Sequence, residues 1–196
     1  MFRDECNGPV LIDQEEVVEQ KLAEQYIEPS DIVLELGARY GTVSCIINRK
    51  LSNPTNQVSV EPQYQVFEAL SLNKNNHRCQ FHIYKGFVSK RPLVLQNYGY
   101  GASYDNGHSE EYPCMSLEDL QSKYNLQFDT LVADCEGGLQ PFFEDHPFFF
   151  SQLKKVIMEK DCSDKCDYDW ICNQLMNHGL KCIHSECNGF YEVYSK

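Results

Sequence analysis

Two acidic motifs carry residues able to do chemistry: DCEGG at 134–138 and EKD at 159–161. In each, two carboxylates lie two residues apart directly after an apolar run. Oxygen ligands gathered in this way suit a hard cation such as Mg2+ or Mn2+. A cation of that kind binds a substrate hydroxyl, lowers its pKa and orients it for attack. Asp134, Glu159 and Asp161 are therefore the expected metal ligands, and Asp134 and Glu136 the expected catalytic acids. The plainer alternative makes Asp134 the cap of the next helix and pairs Glu159 with a lysine.

A second set lies in DIVLELGARYGTVS (31–44) and QVSVEP (57–62). Glu35, Gly37 and Gly41 fall where an apolar run gives way to a helical pattern. Glycine permits the turn and lets a ligand approach the backbone, and the helix N-terminus offers N–H donors. Glu61 closes the second run, where an acid takes both hydroxyls of a ribose. The stretch lacks the G-x-G-x-x-G fingerprint of dinucleotide sites. An acid at the end of the first run repels a pyrophosphate but suits the ammonium of S-adenosylmethionine (SAM). Ala38, Tyr40, Ser44, Pro62 and Gly86 complete the expected cofactor-binding set. His108, in a polar loop, is a further candidate base, although a lone loop histidine is more often exposed surface. Tyr98, Tyr100 and Tyr104 in that loop offer stacking faces for a sugar, or ordinary loop packing.

The elements that must position these residues alternate in period. Residues 13–27 read as a capping helix with Val17, Leu22 and Ile27 among charges, and 1–30 as an N-terminal capping region. Strands are expected at 31–36, 57–62, 79–86, 128–134 and 153–159, separated by helices at 41–51, 64–76, 116–124 and the aromatic stretch LQPFFEDHPFFF. Ser116, with Asp119 three residues on, forms a capping-box start. Residues 86–115 read as an irregular loop on the substrate side. A helix at 168–180, with Gly179 at its end, precedes a hairpin turning at Cys187, Asn188 and Gly189. The expected fold is a Rossmann-like, seven-stranded, mostly parallel sheet with helices on both faces and a C-terminal β-hairpin, the class I methyltransferase arrangement.

The chain has 196 residues, which fits one domain over 1–196. Its 17 Lys and Arg against 29 Asp and Glu give a net charge of −12, which disfavours nucleic acid as a partner. No stretch approaches the ~20 apolar residues of a membrane span, and the N-terminus carries no apolar leader, so a cytoplasmic, non-membrane protein is expected. Ten cysteines in such a chain are expected as reduced thiols. The C-terminal five lack the paired knuckles of a zinc site. The five phenylalanines of PFFEDHPFFF suit a core better than a dimer surface, and a monomer or a homodimer is equally compatible.

DIVLELGARYGTVS, VSVEP, KNN, SLEDL, LVADCEGG and VIMEKD occur in an order that resembles the FkbM-type methyltransferases over roughly residues 31–185. The D-x-E-G at 134–137 is the most specific match. The resemblance implies SAM-dependent O-methylation, often of a sugar or glycosylated product. It implies Asp134 and Glu136 near the transferred methyl, Glu35, Gly37 and Gly41 around the methionine moiety, and Glu61 on the ribose. The family commonly has Asn where Arg39 stands and an acid where Leu139 stands. The expected activity is transfer of a methyl group to a hydroxyl of a sugar or glycan acceptor, assisted by Mg2+ or Mn2+. Two rivals are an NAD(P)- or nucleotide-sugar-dependent oxidoreductase, disfavoured by the missing third glycine, and a metal-binding interaction module without turnover.

Overall fold

The computed structural model describes residues 1–14, 16–96, 101–104 and 112–196. Helix α1 (Val17–Tyr26) leads into β1 (Val33–Leu36), α2 (Thr42–Lys50), β2 (Gln57–Glu61), α3 (Phe67–Asn76) and β3 (His82–Lys85). Four short strands follow: β4 (Phe87–Val88), β5 (Leu93–Leu95), β6 (Ala102–Tyr104) and β7 (Cys114–Met115). The alternation resumes with α4 (Leu117–Tyr124), β8 (Thr130–Ala133), α5 (Leu139–Asp145), α6 (Phe149–Gln152), β9 (Lys155–Glu159) and α7 (Tyr168–Asn177). It ends on β10 (Lys181–Glu186) and β11 (Tyr191–Ser195).

Seven strands form one sheet in the order β3-β2-β1-β8-β9-β11-β10. Neighbours run parallel except β11, which is antiparallel to both β9 and β10. The chain leaves β3 at one edge and returns to pair β8 with β1, so a topological switch point falls between β1 and β8. Ligands of open α/β sheets bind beyond the carboxyl ends of the strands at such a point.

The central strands are apolar runs because both faces are covered. On one face Leu34, Leu131, Val156 and Met158 pack with the phenylalanines of α5 and α6 and with Ile171 and Leu175 of α7. On the other, Val33, Val132, Ile157 and Val193 meet Leu22 and Ala23 of α1 and Val43 and Ile47 of α2. A third cluster joins Ala69 and Leu70 of α3 to Cys45, Phe81 and the N-terminal Phe2 and Val10.

The aromatic stretch is core, as expected: Phe142, Phe143, Phe149 and Phe150 are buried, and the rings of Phe143 and Phe150 stack at 4.1 Å. It forms two short helices rather than one, parted at buried His146. The Nε2 of His146 accepts from the Leu117 N–H at 3.1 Å, so its proton sits on Nδ1, facing the Phe142 carbonyl at 2.8 Å. Ser116 caps α4 by accepting from the Asp119 N–H at 3.1 Å.

Three expectations shift. Helix α1 begins at Val17, not at residue 13, and α7 ends at Asn177, short of Gly179 with its φ of +89°. The 86–115 region is less irregular than its composition suggests, since β4 pairs with β7 and β5 with β6. His108, Tyr98 and Tyr100 lie outside the described residues. No helix among the described residues is long and apolar enough to cross a membrane, and all ten cysteines are free thiols.

Candidate active site

A cavity of about 430 Å3 opens at the carboxyl ends of β1, β2, β8 and β9, a size suited to a small ligand. Gly37, Glu61 and Pro62 come from the β1 and β2 ends, and Asp134, Glu136 and Glu159 from the β8 and β9 ends. Glu16 and Glu19 enter from the start of α1, and Tyr191 from β11, where it pairs with Glu159. Apolar lining comes from Phe87, Val88, Leu93, Leu95 and Ala102 of the short strands and from Phe142 of α5. Among the described residues six acids therefore line the cavity (Glu16, Glu19, Glu61, Asp134, Glu136, Glu159), with Arg39 the basic residue.

At the β1–β2 end the polar groups are tied down. Glu61 Oε2 accepts from the Arg39 N–H and Oε1 from the Gln63 N–H, both at 2.7 Å. Each oxygen keeps a lone pair for a further donor. Burial raises the Glu61 pKa, and the two N–H groups oppose that rise. Arg39 adopts φ +41°, a left-handed conformation that asparagine enters more readily than most residues.

Gly37 has φ +90°, and a Cβ there would stand 1.6 Å from the Asp134 carbonyl oxygen. At Gly41 (φ +80°) a Cβ would lie 2.8 Å from Leu70 Cδ1. The backbone clash with the Asp134 carbonyl requires glycine at position 37, whereas at position 41 the left-handed φ is the stronger constraint, since Leu70 can shift. Glu35 differs from its expected place. It faces α2 and β2, where Oε2 accepts from Ser44 at 2.6 Å, from Gln57 at 3.3 Å, and from Ser59, its register partner on β2. Burial pushes its pKa up to about 7 in spite of these donors.

At the β8–β9 end the carboxylates face one another. Donor atoms of Glu19, Asp134 and Glu159 lie within 4.8 Å of one another, as do those of Glu136, Asp161 and Cys162. Burial pushes Glu159 up to about 10, aided by contact with Glu19 and by the charge of Asp134. Burial, with the nearby charges of Glu16 and Asp161, holds Asp134 well above the usual carboxylate range. Glu136 is raised by burial and by Asp161. Two buried oxygens here, Glu19 Oε2 and Asp161 Oδ2, have no hydrogen-bond partner among the described residues.

Of the expected cofactor set, Gly37, Glu61 and Pro62 line the cavity. Glu35, Ala38, Tyr40, Gly41, Ser44 and Gly86 do not. Tyr40 donates to Glu5, and Gly86 is needed because a Cβ would lie 2.2 Å from the Pro113 carbonyl oxygen. The expected metal trio is split. Asp134 and Glu159 stay together, but Asp161 turns aside after β9 ends and its Oδ1 accepts from the Gly137 N–H and the Tyr168 hydroxyl. Tyr104 is no open sugar platform, since the Arg91 guanidinium sits 3.9 Å from its ring centroid. Glu16, Glu19 and Tyr191 were missed. Glu16 is the left-handed N-cap of α1 and Glu19 lies in its first turn, and no periodicity of the sequence marks them as facing a cavity.

No family model matches the chain, and no curated protein matches it. Solved structures do. The precorrin-6y C5,15-methyltransferase of Geobacter metallireducens aligns with a TM-score of 0.56 at 12% identity, over 92% of this chain and 88% of that one. The precorrin 8W decarboxylase of Methanobacterium thermoautotrophicum aligns over 100% of both chains, at 12% identity and a TM-score of 0.54. A candidate tRNA methyltransferase of Streptococcus pneumoniae, in complex with S-adenosyl-L-methionine, gives 0.54 at 13% identity over 90% of this chain and 70% of that one. The resemblance to the FkbM-type enzymes stands on the motif residues alone. With β11 reversed between β9 and β10, the chain has the Rossmann-like fold of the class I methyltransferases.

Proposed function

We propose that this protein is a SAM-dependent O-methyltransferase acting on a hydroxyl of a sugar or glycan. The observation that carries the cofactor assignment is Glu61, fixed by two backbone N–H groups at the end of β2 beside the Gly37 turn. It is placed to hold the two ribose hydroxyls, with Pro62 and the apolar side chains of β4 beside it. SAM, when bound, supplies a methyl group on a sulfonium that departs as a neutral thioether. The cavity lining is rich in acids, and those that stay ionised, Glu61 among them, favour such a cationic cofactor and oppose the pyrophosphate of a dinucleotide.

The acceptor side falls to Asp134. An alcohol is a poor nucleophile until its proton is drawn away, and a carboxylate of raised pKa is, when ionised, a stronger base than an ordinary one. Burial and neighbouring acids put Asp134 in that condition. Glu136, two residues on, lines the same cavity. Asp134 and Glu159 also offer oxygen donors of the type that Mg2+ or Mn2+ takes. Phe87, Leu93 and Leu95 restrict water around the acceptor. The sugar class rests on the D-x-E-G resemblance at 134–137 and on the net charge of −12, which disfavours a polyanionic acceptor. The test is transfer of labelled methyl from SAM to a panel of deoxysugars, nucleotide sugars and glycans. Labelled sugar supports the proposal, whereas SAM binding with label only on RNA would overturn the acceptor class.

A further inference from the structure

We propose that Glu19, Asp134 and Glu159 form a divalent-cation site in which the N-terminal helix α1 supplies a ligand. The donor atoms of the three lie within 4.8 Å of one another. Opposite ligands lie about 4.2 Å apart on Mg2+ and about 4.6–5.2 Å apart on Ca2+, twice the metal–oxygen distance. Only one of the three pairs can be opposite, so the others must close to about 3 Å on Mg2+ or about 3.3–3.7 Å on Ca2+, the spacing of adjacent ligands, which rotation of the two glutamate side chains can supply. All three residues line the cavity, so an ion there would keep positions open for water or an acceptor hydroxyl.

Glu19 provides the independent observation. It is only 7% exposed, and its Oε2 is buried without a hydrogen-bond partner. A carboxylate oxygen left so costs stability unless something satisfies it. Its near neighbours are the carboxyl groups of Glu159 and Asp134, so without an ion the cluster is relieved by protons held between these acids. A cation satisfies all three at once, and the all-oxygen donor set selects a hard one. Because α1 packs on α2, β9 and β11, the ion would also tie this helix to the strand ends that carry the site. The second trio, Glu136, Asp161 and Cys162, contains a thiol and has an oxygen of Asp161 already bonded to Gly137 and Tyr168. It suits a hard cation less well.

The role in acceptor binding rests on the methyltransferase reading, whereas the ion site itself does not. The test is calorimetric titration of EDTA-treated, dialysed protein with Mn2+ and with Ca2+, alongside a separate SAM titration and thermal unfolding with and without each ion. One ion per chain is expected, with a rise in the unfolding midpoint. Glu19→Gln and Glu159→Gln should each weaken binding at least about tenfold, the loss of one charged ligand contact, and abolish the midpoint shift. Cys162→Ser should leave both unchanged. Metal-free Glu19→Gln should unfold no earlier than the native chain, which shows that it is folded. Absence of stoichiometric binding, or binding lost in Cys162→Ser and kept in Glu19→Gln, would overturn the site. SAM binding without Mn2+ or Ca2+ binding removes the ion site alone, and ion binding without SAM binding removes the methyltransferase reading alone.

Discussion

The two ends of the cavity treat the same chemical group in opposite ways. At the β1–β2 end, Glu61 is held by two backbone N–H groups, and Glu35, on β1 behind the cavity lining, by Ser44, Ser59 and Gln57. At the β8–β9 end, Glu19, Asp134 and Glu159 meet one another, and an oxygen of Glu19 has no partner. Buried polar groups are hydrogen-bonded in most proteins, and exceptions mark places where something else completes the arrangement. The first end is preorganised by the protein itself.

That contrast can be broken most sharply through Asp134. Asp134→Asn keeps the shape and removes the proton acceptor, and turnover should fall by about 10²–10⁴-fold with SAM affinity nearly unchanged. An equal loss of both in calorimetry and turnover assays would move Asp134 from the chemistry to the scaffold.

Glu35 tests the other end through pH. Its folded-state pKa of about 7 lies above its ordinary value of 4.5. The protonated form thus favours folding fully below pH 4.5, and that stabilisation is lost as pH rises through about 7. The difference amounts to about 3 kcal/mol. Glu35→Gln should flatten the pH dependence of denaturant unfolding between pH 5 and pH 8 and make the variant the more stable chain at pH 8. An unchanged slope would show that its three donors hold it ionised. Glu61→Ala comes next, with SAM bound about 10- to 100-fold more weakly for the loss of charge-assisted hydrogen bonds. The smallest effect is expected at Tyr104, whose ring is covered by Arg91. Tyr104→Phe should change stability by no more than about 0.5 kcal/mol and leave turnover as it was. A marked loss of sugar methylation would return Tyr104 to the acceptor site.

Much of the scaffold was legible because the sequence repeats its physical signals. Apolar runs such as VLEL and TLVA are buried on both faces and read as central strands, and Ser116 caps α4 by the bond its spacing suggested. Glu61, Asp134 and Glu159 line the cavity because strand ends are where an α/β sheet opens to a ligand, a position that their place at the ends of apolar runs makes readable. What failed depended on direction. Glu35 was assigned to the ligand, yet as the third residue of β1 it points with Val33 toward α2, on the face opposite Leu34 and Leu36. Asp161 was grouped with Glu159, two residues before it, but the strand ends between them. Glu19 sits in EEVVEQK, which reads as a solvated helix face. It turns inward only because α1 packs across β9 and β11, a tertiary contact that periodicity does not contain.

The central claim is that the β1–β2 end of this cavity holds SAM by its own preorganised groups, independently of the β8–β9 acids. It is tested most directly by calorimetric titration of SAM, in EDTA, into the native chain, Glu61→Ala and Glu159→Gln. One SAM per native chain, weakened in Glu61→Ala and retained in Glu159→Gln, is the predicted result. No binding to the native chain, or binding indifferent to Glu61, would contradict it.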